Sequence, residues 1–130
     1  MRALLVLYLI QQLFVNLETS KTVAYGIFAA YGSLVYMSPF IGGLIADKYL
    51  GHRKAVVFGA IMMAIGHFVM AVENEMFLYI ALSFLIIGNG FFKPNMPTIL
   101  SGLYDKKDAR RDGGFTIYYM SVNLGAFFSP

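Results

Sequence analysis

A single lysine, Lys93, lies inside an apolar stretch at residues 77–99, and Pro94 and Pro97 follow it closely. A lysine near the middle of a membrane helix costs about 3 kcal/mol on insertion scales, so it is retained where it faces water, has a partner or performs chemistry. The two prolines leave the carbonyl groups of Gly90 and Lys93 without N–H donors, which predicts a bent or loosened helix beside the charge. Such a helix is tolerated only against protein or a watery cavity, and it is typical of transport sites.

A second group of charged residues follows the apolar segment at residues 23–45. Asp47 and Lys48 come directly after that segment, at the end of its helix. Gly51 marks a bend, and Arg53 and Lys54 begin the next helix. A carboxylate at a helix C-terminus and cations at a helix N-terminus both oppose the helix dipoles, so we expect these charges to have partners elsewhere. The alternative is a solvated turn whose charges only set the orientation of the helices.

The composition indicates an all-α membrane protein. Of the 130 residues, 58% are hydrophobic and 13% charged, and the mean hydropathy is +0.66, whereas soluble domains carry about 25% charged residues.

The chain has no cysteine, which excludes disulfides and thiolate metal sites. Nothing indicates nucleic-acid binding, because the basic residues lie in short turns and the aromatic residues are spread through apolar segments. Paired carboxylates, a His/Asp cluster and an activated serine are also missing, so the sequence does not predict an enzyme, and we expect no cofactor.

Apolar segments define the helices that must position these residues. They cover residues 1–17, 23–45, 55–72, 76–99 and 115–130. The second is about 34 Å long as a helix, enough to cross a bilayer with some tilt. The first is short and the fifth stops in mid-helix, so we expect the end of helix one, helices two to four, and the start of helix five.

The basic residues predict the orientation of these helices. Seven of them lie in the turns at 47–54 and 101–114, whereas the other two turns contain Lys21 alone. Because cytoplasmic loops carry the excess of Lys and Arg, both basic turns are predicted to be cytoplasmic. The expected location is the plasma membrane, or the inner membrane if the source is bacterial, with several passes through the bilayer.

Two motifs give these segments a family resemblance. The turn at 42–54 resembles the signature loop between helices two and three of the major facilitator superfamily, with Leu50 as an extra residue between Asp47 and Gly51. That lengthened form is typical of the proton-dependent oligopeptide transporters. The Phe-Phe-Lys-Pro-Asn run at 91–95 and the stretch at 104–125 are similar to that family's second signature almost position by position.

The resemblance covers the whole chain and implies an incomplete N-terminal transmembrane half at residues 1–130, with the C-terminal half absent. Residues 1–5 resemble those that follow the family's Glu-x-x-Glu-Arg motif, which the family links to proton coupling. The expected partners are therefore small peptides, protons, the lipid bilayer and the remainder of the same transporter. An in-frame Glu-x-x-Glu-Arg before Met1 would indicate a piece of a transporter, and a stop codon there would favour a remnant.

The resemblance also implies four substrate-binding residues: Arg2, Tyr36, Lys93 and Asn123. Arg2 can grip a peptide carboxylate with its planar guanidinium, while Lys93 offers a point charge and is the residue expected to couple protons. The other three residues also have simpler interpretations. Arg2 could anchor at the interface, Tyr36 could only pack, and Asn123 could form an interhelical hydrogen bond. His67 is interpreted as a packing histidine.

The sequence therefore predicts a fragment of a proton-coupled di-/tripeptide symporter that works by alternating access. A carboxylate of helix one would pair with Lys93 until it is protonated, which would free Lys93 for the carboxylate of the peptide. Asp47, Lys48 and Arg53 are predicted to form a cytoplasmic latch whose ion pairs differ between the outward-open and inward-open states. The alternatives are a transporter of nitrate or another small anion, and a membrane bundle that does not transport.

Overall fold

The computed structural model describes residues 2–13 and 20–128, with the side chains of 5–11 and 21–128. All regular elements in these ranges are helical, as the composition predicts. They are α1 (Arg2–Tyr8) with a π-helical turn (Leu9–Leu13), α2 (Ser20–Ile45) with a π-helical turn (Ala46–Leu50), α3 (His52–Met70), α4 (Glu75–Gly102) and α5 (Arg110–Phe128).

Three segments in the described ranges are long and apolar enough to cross a membrane: Lys21–Leu50, His52–Met70 and Glu75–Gly102. They correspond to the second, third and fourth predicted segments, which confirms the prediction of a helical membrane protein. Part of the first predicted segment, residues 14–17, lies outside the described residues.

Helix α5 begins at Arg110, five residues before the predicted position. The Asp108 carboxylate accepts the backbone N–H of Arg110 at 2.9 Å and caps the helix there.

Helix α4 packs against both α2 and α3 through glycines. A Cβ atom on Gly42 of α2 would overlap the carbonyl oxygen of Gly90, and a Cβ on Gly59 of α3 would lie 2.6 Å from the carbonyl oxygen of Gly88. Apolar side chains are as soluble in lipid as in a protein core, so close backbone packing of small residues is what holds such helices together. Any larger side chain at these glycines would push α4 away from its neighbours.

Small residues allow close contacts between membrane helices, but only some of the small residues in this bundle lie at such contacts. Gly42, Gly43, Gly88 and Gly90 lie at helix contacts, but a Cβ on Gly32 would have no atom within 4 Å, and Ala60 and Ala64 are exposed. On α3 the contact residues are instead Gly59 and Gly66, both buried. The sequence could not distinguish these faces because both faces of α3 carry small residues.

Both prolines of α4 lie within an uninterrupted α-helix. The loosening predicted beside Lys93 therefore does not extend to a break in the helix. The carbonyl of Gly90, which Pro94 leaves without an N–H donor, is the group that packs on Gly42, where glycine Cα–H groups can approach the oxygen. In α2, Pro39 likewise frees the carbonyl of Val35, and the Ser38 hydroxyl donates to it at 3.3 Å.

The two basic turns lie at the same end of the bundle. A cleft there is lined by residues from the start of α3 and from the end of α4 and its following turn: His52, Arg53, Thr98, Ile99, Gly102 and Leu103. The apolar cluster of Leu5, Leu9, Ala24, Leu78, Leu82 and Leu85 joins α1, α2 and the first half of α4. The bundle thus has a basic end and a core built from the N-terminal half of α4.

Candidate functional site

Lys93 reaches from α4 to the face of an aromatic ring on α2. Its Nζ atom lies 5.5 Å from the centroid of the Tyr36 ring, within the distance at which an ammonium is attracted by the electrons of an aromatic face. Both side chains are exposed, with 65% of Tyr36 accessible. The structure therefore brings together two of the four residues predicted to bind substrate.

Backbone packing positions this pair. Gly42 lies against the carbonyl of Gly90 about one turn before Lys93, so the axes of α2 and α4 are close at this level. Val35, next to Tyr36, is only 3% exposed. With Val35 directed into the bundle, the neighbouring Tyr36 projects from another face of α2 and meets Lys93 outside the contact.

The ammonium group of Lys93 has no carboxylate beside it within the described ranges. The carboxylates with a basic neighbour there are Asp47, 3.7 Å from the ring nitrogen Nδ1 of His52, and Asp108, which forms an ion pair with Arg110. An ammonium group that lies against an aromatic ring still has N–H donors available for a second group. An anionic group of a ligand, such as a carboxylate, is a chemical match for that position.

The other two predicted binding residues are not brought to this pair by the described contacts. The backbone of Arg2 lies in α1, but its side chain is outside the described side chains. Asn123 is exposed on α5, which has no buried residue. Helix α5 contacts the preceding segment at its first turns, where Arg111 donates to the Ser101 hydroxyl at 3.0 Å and Gly114 lies against the Tyr104 ring.

The extra residue of the first signature turn takes a π-helical form. Residues Ala46–Leu50 continue α2 with wider turns, and the N–H of Gly51 donates to the carbonyl of Ala46, five residues earlier, at 2.8 Å. A π-helical turn is how a helix accommodates one inserted residue. Gly51 then reverses the chain with φ +78°, a conformation that glycine adopts without strain.

Of the three predicted latch residues, Asp47 has a neighbour of potentially opposite charge in this geometry, whereas Lys48 and Arg53 have none in the described part of the chain. The Asp47 carboxylate oxygen Oδ1 lies 3.7 Å from Nδ1 of His52, the first residue of α3. Lys48 and Arg53 are exposed and form no ion pair with the side chains that the structure describes. Their part in a latch therefore stays a prediction.

One polar contact was missed by sequence reasoning. Asn95 is 2% exposed, and its Oδ1 atom lies 2.8 Å from Nδ1 of His52, while its Nδ2 atom donates to the carbonyl of Phe91 at 2.7 Å. The signal was present in the sequence, because Asn95 is a polar residue within an apolar helix. His67, by contrast, donates from Nδ1 to the carbonyl of Met63 in its own helix at 2.7 Å.

The sequence is similar to bacterial transporters over its whole length. It is 42% identical to the "Uncharacterized transporter YclF" of Bacillus subtilis (strain 168) and 38% identical to a "Di-/tripeptide transporter" of Lactobacillus helveticus, each alignment covering 100% of this chain and 27% of the relative. The chain thus spans about a quarter of the length of these relatives, which are transporters and not enzymes.

The fold leads to the same group of proteins. The crystal structure of a POT family transporter in complex with 5-aminolevulinic acid superposes with a TM-score of 0.86 at 39% identity, over 98% of this chain and 26% of that one. The model of the POT family matches residues 53–130, which include the Lys93 helix and the second signature. This chain belongs to the POT family.

Proposed function

We propose that this chain is part of a proton-coupled symporter of di- and tripeptides that works by alternating access. The observation that carries the proposal is the cation of Lys93 on the ring of Tyr36, on two helices of a POT family bundle. One relative is named as a di-/tripeptide transporter. A peptide has a carboxylate at one end and an ammonium at the other, and Lys93 would bind the carboxylate end.

In the proposed cycle, Lys93 changes partners. A carboxylate of the family's helix-one motif pairs with the ammonium group while it is ionised, and protonation of that carboxylate releases Lys93 to the peptide. The uptake of the proton and the uptake of the peptide are then coupled, because both depend on the ammonium group of Lys93. Arg2 would be a second ligand for the peptide carboxylate through its planar fork of donors, and Asn123 would hydrogen-bond the peptide backbone.

We also propose a plasma-membrane location with both basic turns in the cytoplasm. The clustering of basic residues in the turns at 47–54 and 101–114 supports this orientation, and so does the cleft that the two turns share at one end of the bundle. Asp47, Lys48 and Arg53 would then form the cytoplasmic latch with charged groups outside this chain.

The proposal is tested with the protein of the complete reading frame, reconstituted in vesicles with a proton gradient. We expect uptake of a labelled dipeptide, and we expect competition by other dipeptides and not by nitrate. Exchange of labelled for unlabelled dipeptide without a gradient separates binding and translocation from proton coupling. Lys93→Ala should abolish uptake driven by the gradient.

The matched control is Lys107→Ala, which removes one exposed lysine from a cytoplasmic turn and should leave uptake within twofold of the unmodified protein. Gradient-driven uptake by Lys93→Ala equal to that of the control would contradict the mechanism. Competition by nitrate instead of dipeptides would favour the small-anion transporter. Absence of uptake, exchange and binding of all these compounds would favour a membrane bundle that does not transport.

A further inference from the structure

We propose that His52 and Asn95 are positioning residues that couple the signature turn to the segment of α4 that carries Lys93. This inference rests on the proposed transport function and adds to it a link between the cytoplasmic latch and the substrate site. Asn95 lies two residues after Lys93 on α4, and His52 lies five residues after Asp47. Their hydrogen bond joins the two motifs within one bundle.

The direction of this hydrogen bond follows from the geometry. The carbonyl of Phe91 can only accept, so the atom of Asn95 that lies 2.7 Å from it is the NH₂ group. The carbonyl oxygen of the same amide then faces His52 at 2.8 Å. An amide oxygen also only accepts, so Nδ1 of His52 carries the proton and is the donor.

The donor of His52 lies between two acceptors on different elements. Asn95 Oδ1 is 2.8 Å from Nδ1, and Asp47 Oδ1 is 3.7 Å from the same atom. One N–H group makes one good hydrogen bond, so a shift of the signature turn that brings Asp47 closer takes the donor away from Asn95. In this structure the proton is directed to Asn95, and Asp47 is the second acceptor.

Loss of the donor has a cost that is transmitted to α4. Asn95 is 2% exposed, so its oxygen cannot turn to water when His52 moves away. A buried acceptor without a partner is unfavourable, and α4 must shift or rotate to find one. Because Asn95 and Lys93 are on the same short stretch of α4, that shift also moves Lys93 relative to Tyr36.

The test uses variants of the complete protein that remove or replace the donor. His52→Leu removes it, and His52→Asn supplies an amide donor near the position of Nδ1 without a titratable ring. We expect His52→Leu to lower kcat for dipeptide uptake about tenfold with KM changed less than twofold. We expect His52→Asn to restore kcat to within twofold of the unmodified protein.

A conformational readout separates this role from a general loss of folding. Distances between spin labels on the cytoplasmic ends of the two halves of the transporter should show a shifted outward/inward population in His52→Leu and a nearly unshifted one in His52→Asn. The matched control is His67→Leu, since among the described residues the hydrogen bond of His67 lies within its own helix. It should change neither kcat nor the distances.

A double variant tests the coupling between the two residues. Because Asn95→Leu removes the buried acceptor, adding His52→Leu to it should cause less than a twofold further loss of kcat. Independent, multiplying losses would overturn the proposal. Identical behaviour of His52→Asn and His52→Leu in kcat and distances would also overturn it. If the unmodified protein transports no dipeptide, the proposed function fails, and the distance measurements still decide the link.

Discussion

Lys93 of α4 and Tyr36 of α2 meet with the ammonium nitrogen 5.5 Å from the centre of the aromatic ring. Near this contact, the two helices are held together by Gly42 and the carbonyl of Gly90. The lysine is therefore held by its position on a packed helix and by the ring, while its charge stays exposed. A ligand carboxylate could approach that charge without breaking an ion pair among the described residues.

The aromatic ring at position 36 should contribute to substrate affinity. A cation on an exposed aromatic face is worth about 0.5–1 kcal/mol, so Tyr36→Ala should raise KM for a dipeptide by about two- to fivefold. Tyr36→Phe keeps the ring face and should recover most of the affinity that depends on positioning Lys93. Uptake kinetics in vesicles measure both. A KM for Tyr36→Phe as high as that for Tyr36→Ala would assign the effect to the hydroxyl group.

Packing of α2 on α4 should depend on the absence of a side chain at Gly42. In Gly42→Ala the new Cβ would overlap the carbonyl of Gly90, and an overpacked contact costs about 1–3 kcal/mol. We expect a lower thermal midpoint of the purified protein. Gly32→Ala is the control on the same helix, because its Cβ would meet no atom within 4 Å and alanine favours a helix by about 0.5–1 kcal/mol. Equal midpoints for the two variants would contradict this packing.

Charge at Asp47 should influence which side of the transporter is open. Asp47→Asn keeps the shape of the side chain but weakens its attraction for cations, so the latch proposal predicts a shift in the outward/inward population. Distances between labels at the exposed Tyr49 position and on the cytoplasmic end of the other half would measure it. Glu73→Gln, which neutralises a carboxylate in the turn between α3 and α4, is the control. An unchanged distance distribution in Asp47→Asn would remove Asp47 from the latch.

The start of α5 should be sensitive to acid. Hydrogen bonds from the Arg110 side chain and then from its backbone N–H lower the pKa of Asp108 below its ordinary value of 3.8. The carboxylate is more acidic in the folded state, so its contribution is complete above pH 3.8 and is lost as the pH falls through the lowered value. Hydrogen exchange of amides 110–113, corrected for its intrinsic pH dependence, should become faster only as the pH falls through the lowered pKa of Asp108.

The control for this prediction is Asp108→Ala, which removes the cap at every pH. Its amides at 110–113 should exchange faster than those of the unmodified protein at neutral pH and should show no further acid-dependent loss of protection. If the unmodified protein loses protection at a pH well above 3.8, the cap is not governed by Asp108.

The extents of the central helices could be predicted because lipid requires long apolar runs. The predicted segment 23–45 became Ser20–Ile45, and the segment 76–99 became Glu75–Gly102. The differences are at the ends, where polar residues continue a helix beyond its apolar part. Residues Ala46–Leu50 are an example, because hydropathy places them in a turn, whereas the inserted residue keeps them helical with π-type bonds.

The candidate site was predicted to a smaller extent. Lys93 is conspicuous as a charge in an apolar run, but its pairing with Tyr36 depends on which faces of two helices meet, and residue type does not fix this. The contact of His52 with Asn95 was missed for the same reason, because residues 43 positions apart are joined only by the packing of α3 on α4.

The central claim is that the ammonium group of Lys93 contacts water and the substrate during transport. The most direct measurement replaces Lys93 by cysteine in the complete protein and follows its reaction with a charged thiol reagent, added from either side, with and without a dipeptide. The account predicts reaction from the aqueous phase and protection by the dipeptide. A cysteine that stays unreactive from both sides, with and without the dipeptide, would contradict it.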